Sequence, residues 1–378
     1  MAMTAFLALV LTAQVAATAE LDRAVQDGIA TGVYPGAVVV VGRHDTVLVA
    51  RGYGHFTWSS SSPVPSPDST LYDLASLTKV VATTPAAMRL FEAGRLHPSD
   101  PVQRYLPEFI GAGKDAVTIA HLLTHTSGMR AFLPLNTLAP SADSARRLVL
   151  AEPLRWPPGQ RVEYSDLNAL LLAWIVERVS GRSLEEYVQA EVMTPLGMPQ
   201  TRFRLPRSSW ARTAPVGNWR GTPVSGTVHD QNAARLGGAA GHAGLFSTGR
   251  DLAQFAQFLL NEGRAHDCRV VLQPSTVLLL RRRVSGNRAF GFELRDTTTA
   301  NDAGLRLSPA AFGHTGFTGT SLWIDPELDL FVIVLTNRVY APRASRSITR
   351  LKAVRGRVAD AAAELVQGAL PVSVASRC

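Results

Sequence analysis

The sequence predicts an α+β protein: one antiparallel sheet flanked by helices and built from both chain ends, with a mostly helical subdomain inserted between them. Three observations carry this. Near the front, two apolar runs over 37–41 and 46–50 are separated by the polar turn Arg43-His44-Asp45. Near the back, Ser321-Leu322-Trp323-Ile324 and Phe331-Val332-Ile333-Val334-Leu335 flank Asp325-Pro326-Glu327. Such short connections join antiparallel neighbours and leave no room for a crossover helix. Between the two hairpins the apolar spacing is helical.

Taken in order, residues 5–19 form a short apolar stretch ending in Ala17-Thr18-Ala19 before Glu20, the pattern of a secretory signal. No Lys or Arg precedes it, so two readings stand. One is a signal over 1–19 that delivers the chain to the periplasm or the cell exterior; the other is an N-terminal helix packed on the domain. Residues 20–31 read as a helix ended by Gly32 and Pro35, after which the first hairpin begins. Helical patterns follow over 76–94, 118–125, 143–151, 166–180 and 183–193, with Gly and Pro between them. The segment from Arg204 to Gly241 reads as a long loop region of the kind that borders active sites. Ser247 or Thr248 is placed to cap a helix over 250–261. Beyond the second hairpin, Ile348, Leu351, Val354, Val358, Ala362 and Leu365 mark a helix within 345–370, weakened slightly by Gly356, that covers the sheet. The expected division is a sheet subdomain from 20–75 and 225–378, a helical subdomain over 76–224, and a site at their interface.

Composition narrows the class. With 46% hydrophobic and 18% charged residues the chain is not disordered, and no 20-residue apolar stretch lies inside it to span a bilayer. The net charge of +8 comes from scattered arginines, with one run of three at Arg281-Arg282-Arg283 and no zinc-finger or RNP-type motif, so no nucleic-acid partner is expected. Cys268 and Cys378 imply no disulfide framework; a buried or incidental thiol is the favoured reading, with a single bridge left open.

The chemistry gathers at Ser76 and Lys79. Of 38 basic residues only Lys79, Lys114 and Lys352 are lysines, so a lysine at 79 is a choice. A helix brings positions three apart to one face, and a desolvated lysine can take a proton from serine where arginine cannot. A lone Ser-x-x-Lys is weak, and a serine at a helix start is often only a cap.

Two further motifs support it. Together Ser76-x-x-Lys79, Tyr164-Ser165-Asp166 and His314-Thr315-Gly316 resemble the three motifs of the serine β-lactamase and penicillin-binding protein family. The branch resembled is that of class C β-lactamases, D,D-carboxypeptidases and related esterases. The likeness extends through His121-Leu122-Leu123-Thr124-His125-Thr126-Ser127-Gly128, Trp156-Pro157-Pro158-Gly159 and Gly244-Leu245-Phe246-Ser247-Thr248, covering roughly residues 20–340. It implies a β-lactamase/transpeptidase-like fold, a cofactor-free acyl-enzyme mechanism, Ser76 as nucleophile, and Tyr164 as the group that moves its proton. It also implies an oxyanion hole from the N–H groups of Ser76 and Phe317, and substrate contacts from Asp166, His314, Thr315 and Gly316.

Two departures matter. Asp166 stands where asparagine is usual; a carboxylate cannot donate to a substrate carbonyl, and beside Lys79 it favours the protonated amine, which shifts base work to Tyr164. Asn168 is the one nearby amide that could replace the missing donor. His314 stands where lysine is common, so a carboxylate clamp there would weaken as pH rises through about 6.5. His121 and His125 have metal-like spacing but lack the intervening glutamate and a third ligand, and are read as structural; no metal is expected. His229-Asp230 and His242 are expected to border the pocket. The resulting order of functions is a hydrolase of D-alanyl peptides, with peptidoglycan as the candidate polymer, then a carboxylic esterase, then a β-lactamase. A sensor that acylates without turnover is the non-enzymatic alternative.

Overall fold

The computed structural model describes residues 2–298, 301–340 and 347–367, with side chains from residue 15 onward. In chain order, α1 (Ala2–Ala30) leads into the hairpin of β1 (Gly36–Gly42) and β2 (Val47–Gly54), then the short β3 (Tyr72–Asp73). The helical region holds α2 (Thr84–Glu92), α3 (Ile119–Leu123), α4 (Leu135–Leu138), α5 (Ala142–Ala151), α6 (Asp166–Ser180) and α7 (Leu184–Val188). A small hairpin of β4 (Gly217–Trp219) and β5 (Thr222–Val224) precedes α8 (Gln231–Arg235), β6 (Phe246–Ser247), α9 (Gly249–Leu260) and α10 (Pro274–Arg281). The chain closes with β7 (Glu293–Leu294), β8 (Phe312–Thr315), β9 (Ser321–Asp325), β10 (Leu330–Thr336) and α11 (Ile348–Gln367).

Six strands form one antiparallel sheet in the order β2-β1-β10-β9-β8-β7, so the N-terminal hairpin sits beside the C-terminal strands. Every residue of β1 and β10 is buried because both faces are covered. Val39, Val41, Val332 and Val334 face α1 and α11, meeting Leu21, Val25, Leu351, Val354 and Val358. Val38, Val40, Phe331 and Ile333 face the other way, into a core continuous with α2, α6 and α9. Burying each such side chain contributes roughly 2 kcal/mol. The central strands are therefore apolar throughout rather than alternating.

Four expectations change. The helix expected over 20–31 is part of α1, which runs unbroken through the boundary between residues 19 and 20, and Ala17 is buried with the sheet core. The helix expected over 76–94 is two pieces: a π-helical turn over Lys79–Thr83, then α2. Pro85 has no N–H to give, and the ladder slips so that Thr84 N–H donates to Lys79 O five residues back. This segment is buried on every side, Lys79 through Leu90 being buried apart from Arg89. The loop expected from Arg204 to Gly241 contains the β4–β5 hairpin, a 3₁₀ turn over Arg207–Arg212 and α8. Cys268 is disulfide-bonded rather than an incidental thiol, and Cys378 lies outside the described residues. Among the described residues no helix is long and apolar enough to cross a membrane.

Candidate active site

Ser76 sits in a tight turn between β3 and the π-helical segment, half-buried, on the edge where the sheet meets the helical region. The turn is held from two sides. β3 pairs with β6, Leu74 N–H donates to Leu245 O at 2.9 Å, and Thr78 Oγ1 accepts from Leu245 N–H at 3.2 Å. From the sheet, the hydroxyls of Thr318 and Thr320 donate to Asp73 O and Leu74 O at 2.7 and 2.9 Å. The end of β8 thereby lies against the Ser76 turn. Gly316 is required by this approach: a Cβ there would come within 2.1 Å of Thr320 Oγ1 and 2.5 Å of Leu74 O. Behind the loop, Arg355 donates to Gly316 O and Thr320 O while its charge meets Asp302 at 2.7 Å.

The second motif and the loop just before it are braced by the segment over 125–128, which is distant in sequence. Gly159 N–H donates to Thr126 O and Arg155 N–H to Gly128 O, both at 2.7 Å, and Glu163 N–H donates to His125 O at 2.9 Å. Gly128 must be glycine, for a Cβ would lie 2.0 Å from Trp156 O at φ +84°. Ser165 caps α6 by accepting from Leu167 N–H, and its own N–H donates to His125 Nδ1 at 3.1 Å. These contacts deliver Tyr164 and Asp166 to the start of α6, facing Ser76.

The reactive groups converge. Lys79 Nζ lies 3.0 Å from Ser76 Oγ, 2.7 Å from Asp166 Oδ1, 3.2 Å from His242 O and 4.9 Å from the centre of the Tyr164 ring. The Tyr164 ring lies 4.7 Å from that of His125 and 5.7 Å from that of His314, and its buried hydroxyl lies beside Lys79. Thr315 is half-buried, and its carbonyl accepts from His314 Nδ1–H at 2.8 Å. Phe317 is exposed, with its ring stacked on His229 and its carbonyl accepting from Arg338 Nε. This geometry offers a serine hydroxyl, a cationic donor to its oxygen, and a phenol within the same cluster. Such a set can perform acyl transfer.

Electrostatics bears on two expectations, and overturns the one for His314. Burial, the largest single influence, would drive the proton from Lys79, but the Asp166 carboxylate and the Tyr164 phenol together outweigh it and hold the pKa above the usual lysine value. Lys79 is therefore an ammonium donating to Ser76, not a resting base. His314 is pushed well below the usual histidine range by burial, then by the charges of Arg288 and Lys79, so it is neutral and cannot be the cationic clamp expected from the sequence. With Nδ1–H given to Thr315 O, its Nε2 presents a lone pair. Asn168 does not replace the missing amide either: it is buried inside α6, accepting from Ser127 Oγ at 2.5 Å with its NH₂ turned toward His125.

His125, read as structural, is the hinge of the second motif, and burial keeps it neutral as well. His121 helps cap α3 with Thr118. His229, Asp230 and His242 do border the site: His242 Nε2 meets Asp230 Oδ1 at 3.0 Å. The sequence reading missed Arg288, whose guanidinium lies 5.3 Å from the Tyr164 ring centre. It is buried, 3.8 Å from Glu293, with Nε and Nη1 unpartnered. Nothing local marks it among so many arginines.

The Beta-lactamase family profile matches residues 21–355. A protein of Escherichia coli (strain K12) named "Putative D-alanyl-D-alanine carboxypeptidase" is 32% identical over 362 residues, spanning 86% of this chain and 83% of that protein. Among solved structures, EstCE1, described as a hydrolase with promiscuous acyltransferase activity, superposes with a TM-score of 0.75 at 24% identity, covering 92% of this chain and all of that one. A penicillin-binding protein homologue from Caulobacter crescentus gives 0.73 at 22% identity, covering 92% and 96%. The fold is β-lactamase/transpeptidase-like. The chain belongs to the Beta-lactamase family and is a serine hydrolase.

Proposed function

We propose that this chain hydrolyses a D-alanyl peptide or related amide of the cell wall through an acyl-enzyme on Ser76. The observation that carries the choice of substrate is Arg288, a buried cation beside Tyr164 with two unpartnered N–H groups. A peptide ending in a free carboxylate supplies the anion that such a fork accepts; a simple ester does not. The name of the Escherichia coli relative supports the same reading.

In this reading Ser76 Oγ attacks the carbonyl carbon, and the oxyanion is met by the N–H groups of Ser76 and Phe317. The Tyr164 oxygen takes the serine proton as its own passes to the leaving nitrogen, so one proton moves from serine to amine and the C–N bond breaks. Water then attacks the ester carbonyl; its proton returns through Tyr164 to Ser76 Oγ, and the acid leaves. Lys79 stays charged throughout, steadying the developing serine anion. Ester hydrolysis is the second reading, favoured by Asp166, which is committed to Lys79 and has no N–H for an amide substrate's carbonyl. Export to the periplasm or cell exterior fits both the apolar segment over 5–19 and the disulfide at Cys268.

Parallel assays with a D-Ala-D-Ala peptide, p-nitrophenyl esters and nitrocefin, on the wild type and Ser76→Ala, test the choice. Release of D-alanine with the highest kcat/KM, lost in Ser76→Ala, is the expected result. Ester turnover alone supports the second reading, nitrocefin turnover a β-lactamase, and a stable penicillin adduct without turnover a sensor. Intact mass of the exported protein reads whether residues 1–19 are removed.

A further inference from the structure

Asp73 is a buried carboxylate with no cation against it among the described residues; the charged group acting on it there is Asp230, whose like charge makes ionisation harder. Packing alone gives no reason for a charge here. Each of its oxygens accepts a different backbone N–H. Oδ1 takes Ala75 N–H at 2.8 Å, and Oδ2 takes His229 N–H at 2.7 Å, from a segment 156 residues away. The first bond alone would be an ordinary Asx turn; the second is not required by any turn.

Both N–H groups belong to segments that matter. Ala75 directly precedes Ser76 and has φ +46°, in the left-handed region that a residue with a side chain leaves readily unless it is held. His229 leads into Asp230, which caps α8 and meets His242, and His242 O accepts from Lys79 Nζ. The same carboxylate thus stands between the Ser76 turn and the segment that fixes Lys79. Its own backbone is anchored by β6 and by the Thr318 hydroxyl, from the loop that carries Phe317.

We propose that Asp73 is a positioning residue, whose two oxygens lock the Ala75–Ser76 turn and the His229–His242 segment together so that Ser76 Oγ, the Ser76 N–H and Lys79 keep their attacking arrangement. The inference rests on Ser76 being the nucleophile. Asp73→Asn keeps one acceptor and sets an NH₂ against the other N–H, whereas Ala75→Gly lets φ +46° be adopted without help. The rate of labelling by a fluorophosphonate is measured for wild type, Ser76→Ala, Asp73→Asn, Ala75→Gly and the double variant, with melting followed alongside.

Asp73→Asn is expected to label about 10- to 100-fold more slowly than wild type. In the Ala75→Gly background its effect shrinks at least about threefold, because the two act through one turn; a general loss of stability would slow both backgrounds equally. Asp73→Ser, which keeps an acceptor for Ala75 and loses the one for His229, is run beside it and read by the same criterion should Asp73→Asn not fold. A wild-type rate in both Asp73 variants, or equal losses in both backgrounds, overturns the inference. No labelling of the wild type overturns the nucleophile reading itself, and this inference with it.

Discussion

Lys79 Nζ lies 2.7 Å from Asp166 Oδ1, inside a site where a neutral amide is the usual neighbour of the lysine in the family the chain resembles. Burial favours the neutral amine, Asp166 and after it Tyr164 favour the ammonium, and the two together win. Asp166→Asn removes the first of these supports, so the lysine pKa falls and the alkaline limb of the kcat/KM profile moves to lower pH. The new NH₂ can also donate to a substrate amide carbonyl, worth about tenfold in the ratio of amide to ester turnover. A pH profile and substrate ratio identical to wild type would show that Asp166 has neither role.

The acid side of the profile has a different origin. A histidine clamp at His314 would lose activity as pH rises through about 6.5, but His314 is neutral throughout that range. Asp73 titrates there instead: burial, and secondarily the like charge of Asp230, push its carboxyl up to about 6 against the two N–H groups that lower it. Below that pH it is protonated and keeps only one good acceptor, so Ser76 labelling is expected to fall as pH falls through about 6. The wild type should show this limb and Asp73→Asn should not. An activity loss in the opposite direction would return the clamp to His314.

Arg288 carries the substrate choice, and its removal should be felt unequally by substrates. In Arg288→Ala the peptide carboxylate loses a charge-assisted fork, and kcat/KM for a D-Ala-D-Ala peptide should drop about 10- to 100-fold. p-Nitrophenyl acetate, which has no carboxylate, should lose much less. Arg288→Lys keeps the charge without the fork and should fall between them. Equal losses on both substrates would mean that Arg288 serves Tyr164 rather than the substrate.

The parts of this protein legible in the sequence are those set by neighbours along the chain. The two hairpins could be read because Arg43-His44-Asp45 and Asp325-Pro326-Glu327 are local turn chemistry between apolar runs. Ser76 and Lys79 could be read because one helical turn joins them. Pro85 was visible, but the slip it causes at Lys79–Thr83 depends on how the ladder is repaired, which composition does not reveal. The neutrality of His314 was hidden for another reason: it comes from burial and from Arg288, which only the sheet brings alongside. Asp73 sits three residues before Ser76, yet its second partner, His229, is 156 residues away.

Long-range support of this kind makes a stability prediction at Arg355. Its guanidinium is buried, paired with Asp302 at 2.7 Å, and donates to Gly316 O and Thr320 O at 3.0 and 2.7 Å. Burial pulls its pKa below the usual arginine value and Asp302 opposes that, as expected where desolvation is the dominant effect. In Arg355→Met the methylene stem is replaced by a chain of similar width, but Asp302 loses its cation and two carbonyls lose their donor. Breaking such a buried pair costs about 3–5 kcal/mol, which chemical denaturation would read as a fall in the midpoint. The Gly316 loop also loses its rear support, so the Phe317 N–H should drift and kcat should fall more than KM rises. Removing the abandoned charge as well, in Arg355→Met with Asp302→Asn, should recover part of the stability without recovering kcat. Recovery of both would place the effect of Arg355 in the core alone, and no change in either would mean that the loop is held by Thr318 and Thr320 without it.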